Sequence, residues 1–156
     1  MMDSPSTYHV EKSASIAAAA ATVYGIIADY RSGHPRIVPP AVFTSMEIEQ
    51  GGVGVGTIIR YQMRVLGRTT TYRAAISEPE PGRVLVETDL NGRAVTTFII
   101  QPRSSTECQA TIRTELPARR GLFGWAERIV ARQILNRIYA EELDRLAAVA
   151  IAQNTA

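Results

Sequence analysis

The stretch GGVGVGTIIRYQM, residues 51–63, packs four glycines into six positions. A phosphate-binding loop needs its glycines between a strand and a helix, with the helix N-terminus facing the anion. Here Gly51, Gly52, Gly54 and Gly56 are spaced G-G-x-G-x-G, and no Gly-Lys-Ser/Thr follows. The residues after them, Thr57 to Val65, alternate apolar and polar and are rich in strand formers. A strand offers no helix dipole to an anion. The glycines are therefore read as a connection between strands, supplying positive φ.

Downstream the strand pattern continues. RTTTYRAAISE (68–78) is followed by a turn, PEPGR (79–83). VLVETDL (84–90), RAVTTFIIQ (93–101) and TECQATIRTEL (106–116) come next. Asn91-Gly92 between two of these runs is a strong two-residue hairpin signal. Upstream lies another run, AVFTSMEIEQ (41–50). Six consecutive strands on short turns predict an antiparallel meander. TYHVEKSASI (7–16) is a further strand, with Tyr8, Val10, Ala14 and Ile16 on one face and His9, Glu11, Ser13 and Ser15 on the wet one.

The period changes twice. Ala19, Val23, Ile26, Ile27 and Tyr30 follow helical spacing in an alanine-rich segment from Ala18 to Asp29. RSGHPRIVPP (31–40) reads as a turn or short second helix ended by Pro39-Pro40. After Pro117, residues 121–152 form one long amphipathic helix. Its apolar stripe is Ala126, Ile129, Val130, Ile134, Ile138, Leu143, Leu146 and Ala150; Glu127, Arg128, Arg132, Arg137, Glu141, Asp144 and Arg145 lie mostly opposite. A curved antiparallel sheet must cover its apolar concave face, and this helix is long enough to do so. The predicted fold is α+β: about seven antiparallel strands wrapped around a long C-terminal helix, with two short helices after the first strand. One domain accounts for residues 1–156, with its ordered core at about 7–150.

Composition narrows the function. The chain has 156 residues, 46% hydrophobic, and a net charge of +2, within the globular range. Sixteen of its seventeen basic residues are arginine, but they are scattered among acids. That is a solvated face, without the clustered footprint of nucleic-acid binding. His9, His34 and Cys108 share no metal-ligand spacing, so neither metal nor cofactor is expected. The single cysteine, the absence of an apolar span and an N-terminus without a signal-like core point to the cytoplasm. Oligomeric state is open, with a homodimer as a candidate.

Three local patterns, read with the element order, carry a resemblance. The first is the alanine-rich segment with Val23-Tyr24 and Asp29-Tyr30, then Pro35 through Pro39. The second is Gly54-x-Gly56-Thr57 with Ile76-Ser77-Glu78-Pro79-x-Pro81-Gly82-Arg83. The third is Glu141-Glu142-Leu143-x-x-Leu146. Over about residues 7–150 the chain resembles the START-like helix-grip (SRPBCC) superfamily, most closely its bacterial polyketide cyclase/dehydrase and lipid-transport branch. The resemblance implies a deep cavity between sheet and long helix that holds lipids, polyketides or isoprenoid-like molecules. It also implies that the Gly-rich loop is a flexible gate at the cavity mouth. It implies no single catalytic set.

Strand phase places Tyr61, Met63, Tyr72, Ile76, Phe98, Cys108, Ala110 and Ile112 toward that implied cavity, with Ile134 and Ile138 from the helix. His34, Ile37, Gly54 and Gly56 border its mouth. Tyr61 and Tyr72 are either ordinary core residues or hydroxyls that orient a polar ligand group. Thr96, Phe98 and Ile100 are the inward choice on their strand, although Val95, Thr97 and Ile99 fit nearly as well. In VLVETDL the outward phase of Glu87 is favoured, because a buried unpaired acid is costly; facing inward it would be an acid or base. His34 is read foremost as a solvent-exposed loop histidine, with a general base near neutral pH as the alternative. Glu141, Glu142 and Asp144 are read as a solvated helix face. Leu122, Phe123 and Trp125 are read as the anchor of the helix start, with partner or membrane docking as the alternative.

Two function classes follow. The first is a binder or carrier of a small hydrophobic molecule. The second is a cyclase or aromatase that shapes a flexible chain and supplies an acid or base from His34, Tyr61, Tyr72 or Glu87. At least two polar groups converging inside the cavity are required for the second.

Overall fold

The computed structural model describes residues 6–154; the ends of the expected 1–156 domain lie outside them. The elements run β1 (Thr7–Ile16), α1 (Ala20–Ala28), α2 (His34–Ile37), β2 (Phe43–Gln50), β3 (Ile58–Val65), β4 (Arg68–Glu80), β5 (Val84–Asp89), β6 (Val95–Ser104), β7 (Glu107–Pro117) and α3 (Gly121–Asn154). All seven strands form one antiparallel sheet in the order β1-β7-β6-β5-β4-β3-β2. The meander is thus one continuous run, and β1 closes it by pairing with the last strand. This is the expected α+β helix-grip architecture.

α3, 34 residues long, spans roughly 50 Å at ~1.5 Å per residue. It packs on β1, α1 and α2. Apart from Gly124, its buried residues lie in the second half: Ile138, Tyr139, Glu142, Leu143, Leu146 and Ala150. In the first half the expected stripe is solvent-facing, with Ala126, Ile129 and Val130 exposed. Nor do the residues at its start anchor it, since Phe123 is 92% and Trp125 55% exposed. The helix has left the sheet at that end.

The core joins the inward faces of the strands to α1. Val23, Ile26 and Ile27 are buried with Leu85, Phe98, Ile100, Cys108, Ala110 and Ile112. Cross-strand partners share a face. Phe98 opposite Leu85 and Thr96 opposite Glu87 therefore turn Leu85 and Glu87 inward together. The outward reading of Glu87 is overturned by this register.

Three turns differ from expectation. Between β5 and β6 the register of a two-residue Asn-Gly hairpin is kept, but the strands end at Asp89 and Val95 and neither Asn91 nor Gly92 has positive φ. Asp89 Oδ1 instead accepts the Asn91 N–H at 2.9 Å. β4 runs through Pro79 to Glu80, with its pairing shifted after Ser77. The Gly-rich loop has four glycines at positive φ, as a strand connection requires. It is nonetheless tied down. The Gly54 N–H donates to Ala28 O, the Tyr30 N–H to Gly52 O and the Val55 N–H to Glu78 Oε2. A Cβ on Gly54 would lie 2.6 Å from Glu78 Oε2, itself fixed because Tyr24 donates to the same carboxylate. These bonds oppose the free swing expected of a gate.

Candidate functional site

The concave face and the middle of α3 enclose a chamber of about 160 Å³. Its wall is apolar on one side: Phe43, Met46, Ile59 and Met63 from the β2–β3 edge, with Phe98, Ile112, Leu135 and Ile138. Tyr61 and Tyr72 face each other across β3 and β4, stacked with ring centroids 5.4 Å apart, and Phe43 lies 5.9 Å from Tyr61. A larger, more open hollow of about 720 Å³ shares Met63, Tyr72, Leu116, Leu135 and Ile138 with the chamber. It extends along the first half of α3, past Val130 and Ile134.

The other side of the chamber is polar. His34, expected on an exposed loop, is only 3% exposed. The chain brings it inward because α2 begins at His34, where its ring stacks on Tyr30 at 4.4 Å and meets the edge of Phe98 at 5.6 Å. Its Nδ1 lies 2.8 Å from Ile27 O. A carbonyl only accepts, so Nδ1 carries the proton and Nε2 faces Glu87 Oε1 at 3.5 Å. The same oxygen accepts the Tyr30 hydroxyl at 2.6 Å.

Glu142 faces this group from α3. Read from sequence as part of a solvated face, it is 3% exposed and lines the chamber. Burial, and then the charge of Glu87, push its pKa well above the usual Glu range. Beside it the Tyr139 hydroxyl and Thr114 Oγ1 are hydrogen-bonded, and Thr114 in turn meets Thr96 Oγ1 at 2.8 Å. Burial raises the Tyr30, Tyr61 and Tyr139 hydroxyls as well, so these stay protonated donors.

The residues selected from sequence divide as follows. Tyr61, Met63, Tyr72, Phe98, Ile112, Ile138, His34 and Glu87 line the chamber. Ile134 lines only the outer hollow. Ile37, Ile76, Cys108 and Ala110 are buried in the core behind the chamber wall. Gly54 and Gly56 line neither space, because their loop is held against α1 and β4. Burial raises the Cys108 thiol, and no base accompanies it. Thr96 and Thr114, on the faces read as inward, line the chamber too; Tyr30, Asp89, Tyr139 and Glu142 are not among the residues that the sequence singles out for the site. Glu142 had a signal: it fills the gap in the row Ile138, Leu146, Ala150 at steps of four. Among the described residues no group of three or more His, Cys, Asp and Glu side chains is placed to hold a metal ion. No helix among them is long and apolar enough to cross a membrane.

A family model described as polyketide cyclase / dehydrase and lipid transport matches residues 7–150. The Zhui aromatase/cyclase from Streptomyces sp. R1128 superposes with a TM-score of 0.77 at 20% identity, covering 93% of this chain and 94% of that one. A START superfamily protein from Mycobacterium smegmatis gives 0.74 at 14% identity, covering 93% and 98%. A point mutant of norcoclaurine synthase from Thalictrum flavum, in complex with a transition-state analogue, gives 0.75 at 19% identity, covering 98% and 99%. At these identities the superpositions show a shared fold. No curated protein matches the chain.

Proposed function

The chain belongs to the polyketide cyclase/dehydrase and lipid transport family of the START-like helix-grip superfamily, and from that premise we propose that it binds a small, largely hydrophobic molecule between its sheet and α3. The observation that carries this reading is the ring-lined chamber of about 160 Å³ continued by the open hollow of about 720 Å³. A cavity of ~150 Å³ lined by apolar side chains takes up a benzene ring. The inner chamber thus suits one ring, and the hollow suits the rest of a longer molecule. Tyr61, Met63, Tyr72, Phe98, Ile112 and Ile138 are the proposed contacts. The scattered arginines and lone cysteine support a cytoplasmic small-molecule protein without a nucleic-acid partner.

Native mass spectrometry of the purified protein, then organic extraction, tests the proposal. A releasable adduct of lipid or polyketide mass is expected. Failure of the protein both to retain such a molecule and to take up a neutral hydrophobic dye would refute it. Light scattering in the same preparation reads the homodimer directly.

The convergence of Glu87, His34, Tyr30 and Glu142 favours a second reading, an enzyme of the cyclase/aromatase class. More than the two required polar groups are present. A carboxyl whose pKa is raised, beside a second carboxyl paired with an imidazole, is an acid-base arrangement. Loss of turnover of a poly-ketone probe in both Glu142→Gln and Glu87→Gln, with binding kept, is the expected signature.

A further inference from the structure

The polar half of the inner chamber carries an imbalance of charge. Glu87, Asp89 and Glu142 line it, and no Arg or Lys does, although the chain has 17 such residues. His34 is the one basic group present, and it is committed to Glu87 Oε1 at 3.5 Å. Glu142 is 3% exposed and borders the chamber, where no Arg or Lys balances it. A buried carboxylate that faces no cation is costly. The rings of Tyr61, Tyr72 and Phe43 line the same chamber.

Resting on the cavity-binding reading above, we propose that the molecule held in the inner chamber carries a basic amine. Its ammonium group sits between the carboxyls of Glu142 and Glu87, with its apolar ring against Tyr61 and Tyr72. Aromatic faces next to a cation add attraction of their own. The same lining repels a free fatty acid or any other carboxylate, because nothing there would balance a second anion.

The protonation of Glu142 gives this reading a sign. Burial first, and then Glu87, favour the protonated form of Glu142. The groups facing it are Glu87 and Asp89 from β5, His34 from α2, Tyr61 and Tyr72 from β3 and β4, Tyr30, and Tyr139 on its own helix. An entering ammonium takes the place of the Glu142 proton, so binding releases a proton and tightens as pH rises. A neutral ligand that accepts a hydrogen bond from the Glu142 carboxylic acid has the opposite slope.

Displacement of the neutral dye Nile red by matched one-ring probes tests the proposal: 2-phenylethylamine, 2-phenylethanol and 3-phenylpropionate, from pH 6 to 8.5. A hydrogen bond to a charged group contributes about 1.5–3 kcal/mol, which is about 10- to 100-fold in affinity. The amine is expected to bind at least ~10-fold tighter than the alcohol, more so at higher pH, and the carboxylate more weakly than either. Glu142→Gln, isosteric with the protonated side chain, should bring amine and alcohol within ~3-fold of each other. Equal or tighter binding of the alcohol or carboxylate by the unaltered protein overturns the proposal, as does an amine preference that survives in the variant. Saturable dye binding without amine preference leaves the cavity-binding reading standing and removes this one. Absence of dye binding removes both.

Discussion

The Tyr30 hydroxyl donates to Glu87 Oε1 at 2.6 Å, across 57 residues of sequence. This bond fixes the segment between α1 and α2 to the middle of the sheet and sets the carboxylate beside His34. Tyr30→Phe keeps the ring that stacks on His34 and removes only the donor. Glu87 then loses a partner inside a partly closed chamber, at a cost of about 1–3 kcal/mol. For a chain of this length each kcal/mol lowers Tm by roughly 2–4 °C. Calorimetry should show a fall in that range. An unchanged Tm would mean that water replaces the hydroxyl without loss.

Glu142 gives stability a pH dependence. Its pKa in the fold lies well above the usual Glu range, through burial first and Glu87 second. The unfolded chain releases this proton near the ordinary Glu pKa, whereas the folded chain keeps it. The folded state therefore binds more protons, and stability falls as pH rises from that ordinary value through the raised one. The stabilisation is complete below the window. The loss approaches ~1.4 kcal/mol per pH unit within it. Glu142→Gln mimics the protonated form and should flatten the decline in urea unfolding curves between pH 5 and 8. Parallel curves for the two proteins would rule out Glu142 as its source.

The sequence was legible where one periodicity governed one element. Strand-forming runs mark all seven strands, most of which put one face on the core; in β2 only Phe43 and Met46 are partly buried. Alternation failed on β5, where both phases of VLVETDL put apolar residues inside. The answer lies in pairing: the Asn91-Gly92 register sets Glu87 opposite Thr96, and the buried Phe98 and Ile100 fix the face that Thr96 shares. Glu142 and His34 were misread for a shared reason. A loop position for His34 and a charged helix face for Glu142 suggest exposure, whereas both are enclosed by residues distant in sequence, Phe98 against His34 and the strand residues of the chamber against Glu142. The exposure of Leu122, Phe123 and Trp125 depends on where α3 leaves the sheet, which helical periodicity does not encode.

Two glycines near the site predict opposite outcomes. A Cβ on Gly33 would lie 2.4 Å from the carbonyl oxygen of Ile26, so backbone must move. Overpacking of this kind costs about 1–3 kcal/mol, and the shift falls on His34, the next residue. Gly33→Ala should lower both Tm and affinity for the dye. Gly25, inside α1, has nothing within 4 Å of the added Cβ. Gly25→Ala should raise stability by up to ~1 kcal/mol through helix propensity and a less flexible unfolded chain. Denaturant midpoints of the two variants should therefore move in opposite directions.

The two halves of α3 should respond differently to substitution. Leu146 is fully buried against the core, and Phe123, on the same helix, is 92% exposed. Leu146→Ala removes packed methyl groups and leaves a cavity, at a cost of about 2–5 kcal/mol. Phe123→Ser removes a larger apolar side chain but little buried area, so stability should change by no more than ~0.5 kcal/mol. Urea unfolding of the two variants checks this. A loss above ~1 kcal/mol for Phe123→Ser would show that the ring is covered in solution, either by the chain itself or by a second copy. Repeating the measurement over a range of protein concentrations separates those cases, since only an intermolecular contact makes the midpoint depend on concentration.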